Sequence, residues 1–351
     1  MRTRQSDYMH WAKTQTPARY NLASSEVPHF PLDRFPIDIA DLHLTGASHY
    51  RYPPLREAIA RKCGVDPACV VMADGTSMAN MLAMAALIDP GDEVLIELPA
   101  YEPMVAAARF LGGEVKRFVR EGPEFRLDPG AVGRAATPRT KLIVLTNLHN
   151  PSGNLASPEL LLPLAEIAPH VLIDEVYLDA APGQRSAVLL GDAFVTTSSL
   201  TKVYGLSGLR CGWILAEPAL AERMWRLNEL FGVAQAHADE RLSCLALERL
   251  DEIAAETPAL LARNRALANA FFVGRADIEV ASMVHNVTAF PRLLGGDVER
   301  LHGLLRERYD TAIVPGRFFG LADHFRVGVG GPTEMVEQGL ARLGAALDKL
   351  A

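Results

Sequence analysis

Lysine is scarce in this sequence: only six of the 35 lysine and arginine residues are lysine. Cysteine is scarce too, with Cys63, Cys69, Cys211 and Cys244 forming no CxxC pair and having no obvious histidine partner. No metal site is therefore expected, and reduced, mostly buried thiols in a cytoplasmic protein are. Long apolar runs are missing. "MLAMAALI" is the most apolar helical segment and falls well short of the roughly 20 residues a membrane span needs. The opening "MRTRQSDYMHWAK" is basic but leads into no apolar segment, which argues against a secretory signal. There is no polybasic run and the net charge is −7, so neither nucleic acid nor a membrane is an expected partner. Neither GxGxxG nor GxxxxGK followed by Ser or Thr occurs, which leaves a dinucleotide or nucleoside triphosphate site without support.

What is present describes a folded globular chain, 49% hydrophobic and 22% charged. At 351 residues it is too long for one small core, and a large domain with a smaller companion is expected. Between residues 65 and 217, short apolar runs alternate with helix-like stretches: "CVVMA", "EVLIEL", "GEVKRFV", "KLIVLTN", "HVLIDEV", "AFVTTSS" and "CGWILAE". Most lack polar alternation and so read as strands covered on both faces. Helices are expected at 76–88, 101–111 and 157–168. The reading is an α/β fold with a mainly parallel central sheet flanked by helices, over residues 41–244. A long helical pattern over 218–273, interrupted at Pro258, leads into mixed elements. These, with an irregular N-terminal segment, predict a smaller α+β domain from 1–40 and 245–351.

Ligands collect at the carboxyl ends of strands in open α/β sheets, and the polar outliers of this sequence fall there. Gly75, Thr76 and Ser77 open a helix after "CVVMA", either as an ordinary N-cap or as a phosphate site built on exposed amides and the helix dipole. Asn150, in "LHNPSGN", either closes an Asx turn or points its amide at a ligand. Asp174 follows three apolar residues, where a lone carboxylate is costly and wants a partner; a buried structural ion pair is the alternative. Tyr177 lies three residues on. Lys202, in "SSLTKVYGLSGLRCGW", is enclosed by Ser199, Thr201 and glycine turns. Desolvation there is expected to lower its pKa and make the amine a nucleophile able to form a Schiff base; a phosphate-binding lysine is the alternative. Arg210 adds a planar fork suited to phosphate.

A phosphate cradle, a buried carboxylate, a lysine and an arginine suit pyridoxal phosphate. From about residue 20 onward the chain resembles the class I/II aminotransferases, the fold-type-I pyridoxal-phosphate enzymes. The resemblance rests on an ordered series: Gly-Thr-Ser at 75–77, Tyr101, "HNPSG" at 149–153, "DEVY" at 174–177 and "SLTKVYGLSGLRCG" at 199–212. "PGRFFG" and "HFRVGVG" resemble the family's C-terminal landmarks. The resemblance implies that Lys202 carries the cofactor and then moves the proton at the substrate Cα. It implies that Asp174 holds the pyridine nitrogen protonated, that Asn150 and Tyr177 bond the ring's phenolic oxygen, and that Tyr101 stacks on the ring. Gly75, Thr76, Ser77, Ser199 and Arg210 would hold the phosphate, and Arg326 the substrate α-carboxylate. Two departures stand out. Thr201 replaces the serine usually found before the lysine, and Ser25 stands near where many relatives have a substrate-facing glycine. "HYRYPPLREAIA" is shorter than usual, so either Tyr50 or Tyr52 would reach a neighbouring subunit's phosphate in a homodimer with shared active sites.

The implied activity is transfer of an amino group from an L-amino acid to a 2-oxo acid by a ping-pong mechanism. A lyase, decarboxylase or cyclase of the same fold uses the same lysine and aspartate. A non-catalytic pyridoxal-phosphate sensor is disfavoured, because every catalytic position is filled and no DNA-binding segment is visible before the fold.

Overall fold

The computed structural model describes residues 5–35, 37–42, 44, 45 and 49–350. Each of the seven apolar runs forms a strand of one sheet: β1 Val70–Asp74, β2 Glu93–Leu98, β3 Glu114–Val119, β4 Thr140–Thr146, β5 His170–Asp174, β6 Phe194–Ser199 and β7 Cys211–Leu215. The spatial order is β1-β7-β6-β5-β4-β2-β3, and β7 alone runs against the others. The central strands are apolar at every step because both faces are covered: Leu142 to Leu145 and Val171 to Ile173 have no exposed surface. Edge strand β3, in contrast, alternates in exposure.

Helix α1 spans Asp7–Thr14, α2 Pro53–Cys63, α3 Gly75–Leu87 and α4 Glu102–Phe110. Helix α1 forms where an irregular segment was expected, with Ser6 capping the Met9 amide at 3.1 Å. The stretch 157–168 splits into the short helix Pro158–Leu161 and a 3-10 turn, because Pro163 cannot donate to a continuing helix. The long pattern over 218–273 divides into Pro218–Asn228, His237–Glu248, Leu250–Ala254 and Thr257–Val273. Pro258 stands in the first turn of the last of these, where its missing N–H costs nothing, instead of interrupting a helix.

Ala246, Ile253 and Leu261 pack onto the large core, and the second core gathers Leu22 with residues from Ala268 onward. That second core carries a three-stranded antiparallel sheet of Thr288–Ala289, Phe325–Gly328 and Val314–Pro315. Residues 22–30 run between the two cores. The Val27 amide donates to the Lys202 carbonyl (3.0 Å) and the Gly328 amide to the Leu22 carbonyl (2.7 Å). This segment therefore stitches the lysine loop to the strand carrying Arg326.

Among the described residues no helix is long and apolar enough to cross a membrane, and no group of three or more His, Cys, Asp or Glu could hold a metal ion.

Candidate active site

The site is assembled where β1, β4, β5 and β6 end. Strand β1 turns into α3 through Gly75, which has φ +77°. Arg210, itself left-handed at φ 49°, donates from Nη2 to the Asp74 carbonyl at 3.0 Å. A Cβ on Gly75 would lie 2.4 Å from that Nη2, and one on Gly212 would lie 2.4 Å from the Gly75 carbonyl carbon. Both positions must be bare for the guanidinium to lie over the helix start. Thr76 Oγ1 donates to Ser199 Oγ at 2.9 Å, bringing the hydroxyls of two elements together. Exposed helix amides, hydroxyls and a guanidinium at one point make an anion cradle.

Asp174 ends β5 and is 5% exposed. Its Oδ2 accepts from Asn80 Nδ2 (2.8 Å) and its Oδ1 from the Val176 amide (3.0 Å). Asn80 is fixed in turn by Thr197 Oγ1 at 2.6 Å. Burial pushes the Asp174 carboxyl up to about 6, against the pull of Asn80, the Val176 amide and the Lys202 charge. Both contacts come from neutral donors, so a cationic partner would relieve a standing cost.

Strand β4 delivers Asn150. Its backbone N–H donates to Thr146 Oγ1 (2.7 Å), and Thr146 donates from N and Oγ1 to Glu97 (both 2.8 Å). Glu97 is paired with Arg120 at 2.8 Å, both almost wholly buried. Asn150 Oδ1 accepts from Arg326 Nη1 at 3.0 Å, which leaves Nδ2 as the donor this amide offers. Arg326 Nη2 donates to Tyr8 Oη (3.0 Å) and to the Ala23 carbonyl (3.1 Å). Its Nε is buried without a partner. A guanidinium that is 2% exposed and held only by neutral acceptors is poised for an anion.

Lys202 Nζ donates to Glu26 Oε1 at 2.7 Å. The expectation of a lowered lysine pKa is overturned. Burial does push it down, but Tyr177, Glu26 and Tyr8 favour the charged form, and the net direction is upward. Tyr177 donates to Ser25 Oγ at 2.7 Å. Tyr101 is an edge-on neighbour of Tyr8, with ring centroids 5.7 Å apart.

Of the expected site residues, all but Gly75, Tyr50 and Tyr52 line a single cavity of about 460 Å³, and Gly75 directly precedes the lining residue Thr76. Tyr50 is 44% exposed and donates to Glu229 at 2.6 Å. Tyr52 is buried within its own chain, edge-on to His237, and accepts from Arg241. Neither lines the cavity of its own chain.

Three residues were missed. Asn80 had a signal, as the one amide in an otherwise apolar helix face, "SMANMLAMAAL". Glu26 had a weaker one, as the lone charge in "LASSEVPHF". Tyr8 had none, because only the fold of α1 over the cavity brings it to Arg326.

The protein-family model for aminotransferase class I and II matches residues 33–343. Capreomycidine synthase of Streptomyces vinaceus is 33% identical over 311 residues, covering 84% of this chain and 78% of that protein. A histidinol-phosphate aminotransferase of Rhodospirillum centenum is 30% identical over 311 residues, covering 83% of each. Among solved structures, a PLP-dependent aminotransferase from Streptococcus suis superimposes with a TM-score of 0.91 at 23% identity, covering 100% of this chain and 99% of the other. The PLP-dependent cyclase OrfR gives 0.87 at 25% identity, with full coverage of both chains. A site built at the strand ends, on a fold shared with these structures and in a sequence matched over most of its length, leads to one conclusion: the chain belongs to the aminotransferase class I and II family, the fold-type-I enzymes that depend on pyridoxal phosphate.

Proposed function

We propose that this protein is an aminotransferase that moves the amino group of an L-amino acid to a 2-oxo acid. One observation carries the reading: a buried Arg326 with an unpaired Nε shares a cavity with Lys202 and with the costly carboxylate of Asp174. The residues fit pyridoxal phosphate. The cradle of Thr76, Ser77, Ser199 and Arg210 suits its phosphate, and Asp174 suits its pyridine nitrogen. When bound, the cofactor supplies an electron sink for the carbanion at the substrate Cα.

The chain's own residues do the rest. Lys202 would hold the cofactor through Nζ and, once displaced, accept and return the proton of Cα. Asp174 would keep a proton on the pyridine nitrogen, and the ionic contact would offset the burial cost that now raises its pKa. Arg326 would fix the α-carboxylate with its fork, so that Cα lies within reach of Lys202. Asn150 Nδ2 and Tyr177 would donate to the ring's phenolic oxygen, and Tyr101 would lie against the ring. Ser25, bonded to Tyr177, would border the substrate. Borohydride reduction followed by peptide mapping should find the pyridoxyl label on Lys202. A half-reaction screen, following loss of the cofactor's visible absorbance with each amino acid and assaying the 2-oxo acid formed, tests the activity. Consumption of the amino acid without a matching 2-oxo acid would count against it.

A second reading, lyase or cyclase chemistry on the substrate's side chain, draws support from the similarity to capreomycidine synthase and to the cyclase structure. It predicts a rearranged or eliminated product with the amino group retained or released as ammonia.

The working unit we propose is a homodimer with shared sites. Tyr50 bonds Glu229 beside the exposed apolar residues Leu230, Phe231 and Val233, and Arg210 of the anion cradle reaches the surface. An apolar surface next to a phosphate cradle suits burial against a second copy that adds Tyr50 or Tyr52.

A further inference from the structure

Glu26 has no part in the chemistry assigned above, yet it makes the direct contact to the lysine. Its carboxylate lies 2.7 Å from Lys202 Nζ, and both side chains are only about a quarter exposed (26% and 28%). The contact is built in from both sides. The neighbouring Val27 amide is tied to the Lys202 carbonyl, and a Cβ on Gly205 would lie 2.2 Å from the Pro28 carbonyl oxygen. The lysine loop and the segment carrying Glu26 therefore cannot separate without breaking backbone contacts.

Around Lys202 the cavity presents Glu26 from the N-terminal segment, Tyr8 and Lys13 from α1, Asp174 and Tyr177 from the end of β5, and Arg210 and Arg326. Among the described residues lining it, Glu26 and Asp174 are the two carboxylates. Asp174 is already engaged by Asn80 and the Val176 amide. Glu26 is left as the anion available to the amine.

We infer that Glu26 is a positioning residue for Lys202, aiming its free Nζ into the cavity and favouring the ammonium over the neutral amine. The pairing matters whenever Nζ is not bound to the cofactor. Before loading, it withholds the neutral amine that must attack a carbonyl. After a substrate amine has displaced Lys202 as the neutral amine, Nζ would take the proton from Cα: the C–H bond breaks, its electron pair stays with carbon, the Nζ lone pair forms the new N–H bond, and Glu26 faces the ammonium that results. That second consequence rests on the proposed function, whereas the pairing itself does not.

Trace acetylation tests the pairing in the full-length chain after cofactor removal. The chain is treated with acetic anhydride across pH 7 to 11, and Lys202 and the exposed Lys141 are compared by peptide mapping. The pH of half-reaction is independent of how readily the reagent enters. Glu26→Gln should bring Lys202 down by about one pH unit or more, the usual effect of losing an opposite charge at this range, and leave Lys141 unmoved. Covalent capture of pyridoxal phosphate at pH 7.5 should then quicken by about tenfold, in step with the neutral amine. Glu26→Asp should fall between, and it decides the matter if the glutamine variant does not fold. A Lys202 half-reaction pH that is the same in wild type and variants overturns the inference. Absence of amino-acid turnover alongside the expected shift would instead overturn the proposed function and leave the pairing standing.

Discussion

Two regions meet at the cavity, and they are built differently. The ends of strands β1, β4, β5 and β6 supply Thr76, Asn150, Asp174 and Ser199, held by backbone, by a neighbouring hydroxyl or by Asn80 of α3. The N-terminal segment supplies Tyr8, Ser25 and Glu26, each held by a residue far away in sequence: Arg326, Tyr177 and Lys202. The first region is the platform on which the proposed cofactor site is built. The second is a segment laid over it as a cover, and its residues line the same cavity. Under the proposed function the platform would serve any reaction that needs a carbanion, whereas the cover, through Glu26, contacts the lysine itself.

The comparison predicts that damage to the platform costs the most. Asp174→Ala should retain cofactor through the phosphate cradle yet lose ~10³-fold or more in turnover, read as kcat with any accepted amino acid. Near-normal turnover would remove Asp174 from the mechanism. Arg326 stands where platform and cover join. Arg326→Lys keeps the charge and loses the fork, so kcat/KM should fall by about 10- to 100-fold with cofactor affinity unchanged. An unchanged kcat/KM would place the carboxylate clamp elsewhere.

Shared sites have a sharper signature. Lys202→Ala and the double variant Tyr50→Ala/Tyr52→Ala should each be nearly inactive. In the proposed homodimer, demonstrated random subunit exchange would make half the dimers mixed, each with one intact site of two. Activity should recover to roughly a quarter of wild type. No recovery means that the tyrosines act within their own chain. A cover residue should cost less: Tyr8→Phe removes one neutral acceptor from Arg326, about 1 kcal/mol, and should weaken amino-acid binding by roughly fivefold with little change in kcat. A loss in kcat comparable to that of Asp174→Ala would erase the distinction between the regions.

The smallest effect is on stability. In the cofactor-free chain Asp174 has a raised pKa, so the folded state binds more protons than the unfolded state between 3.8 and about 6. Its contribution to stability therefore falls as pH rises through that window and levels off above it. The advantage of Asp174→Asn in denaturation midpoint over wild type should grow from pH 4 to about 6.5 and then stay flat. A difference independent of pH would show that the carboxyl does not titrate there.

Legibility followed the same division. All seven strands were readable because a strand covered on both faces must be apolar throughout, and Asp174 announced itself as a charge directly after such a run. The break at Pro163 and the placement of Pro258 in a first turn were harder to read, since proline both ends and begins helices. Asn80 was visible only as an amide on an apolar helix, and what it binds could not be read from its position.

By itself the sequence determined the seven strands of the central sheet and the residue types waiting at their ends, because these follow from local periodicity and from the cost of burying charge. Only the tertiary structure decided that Glu26 sits against Lys202, that α1 brings Tyr8 to Arg326, and that the lysine is pushed toward its charged form. Those outcomes depend on contacts between residues 176 and 318 positions apart. No local pattern encodes such a distance; it is settled by how two cores pack against the segment that runs between them.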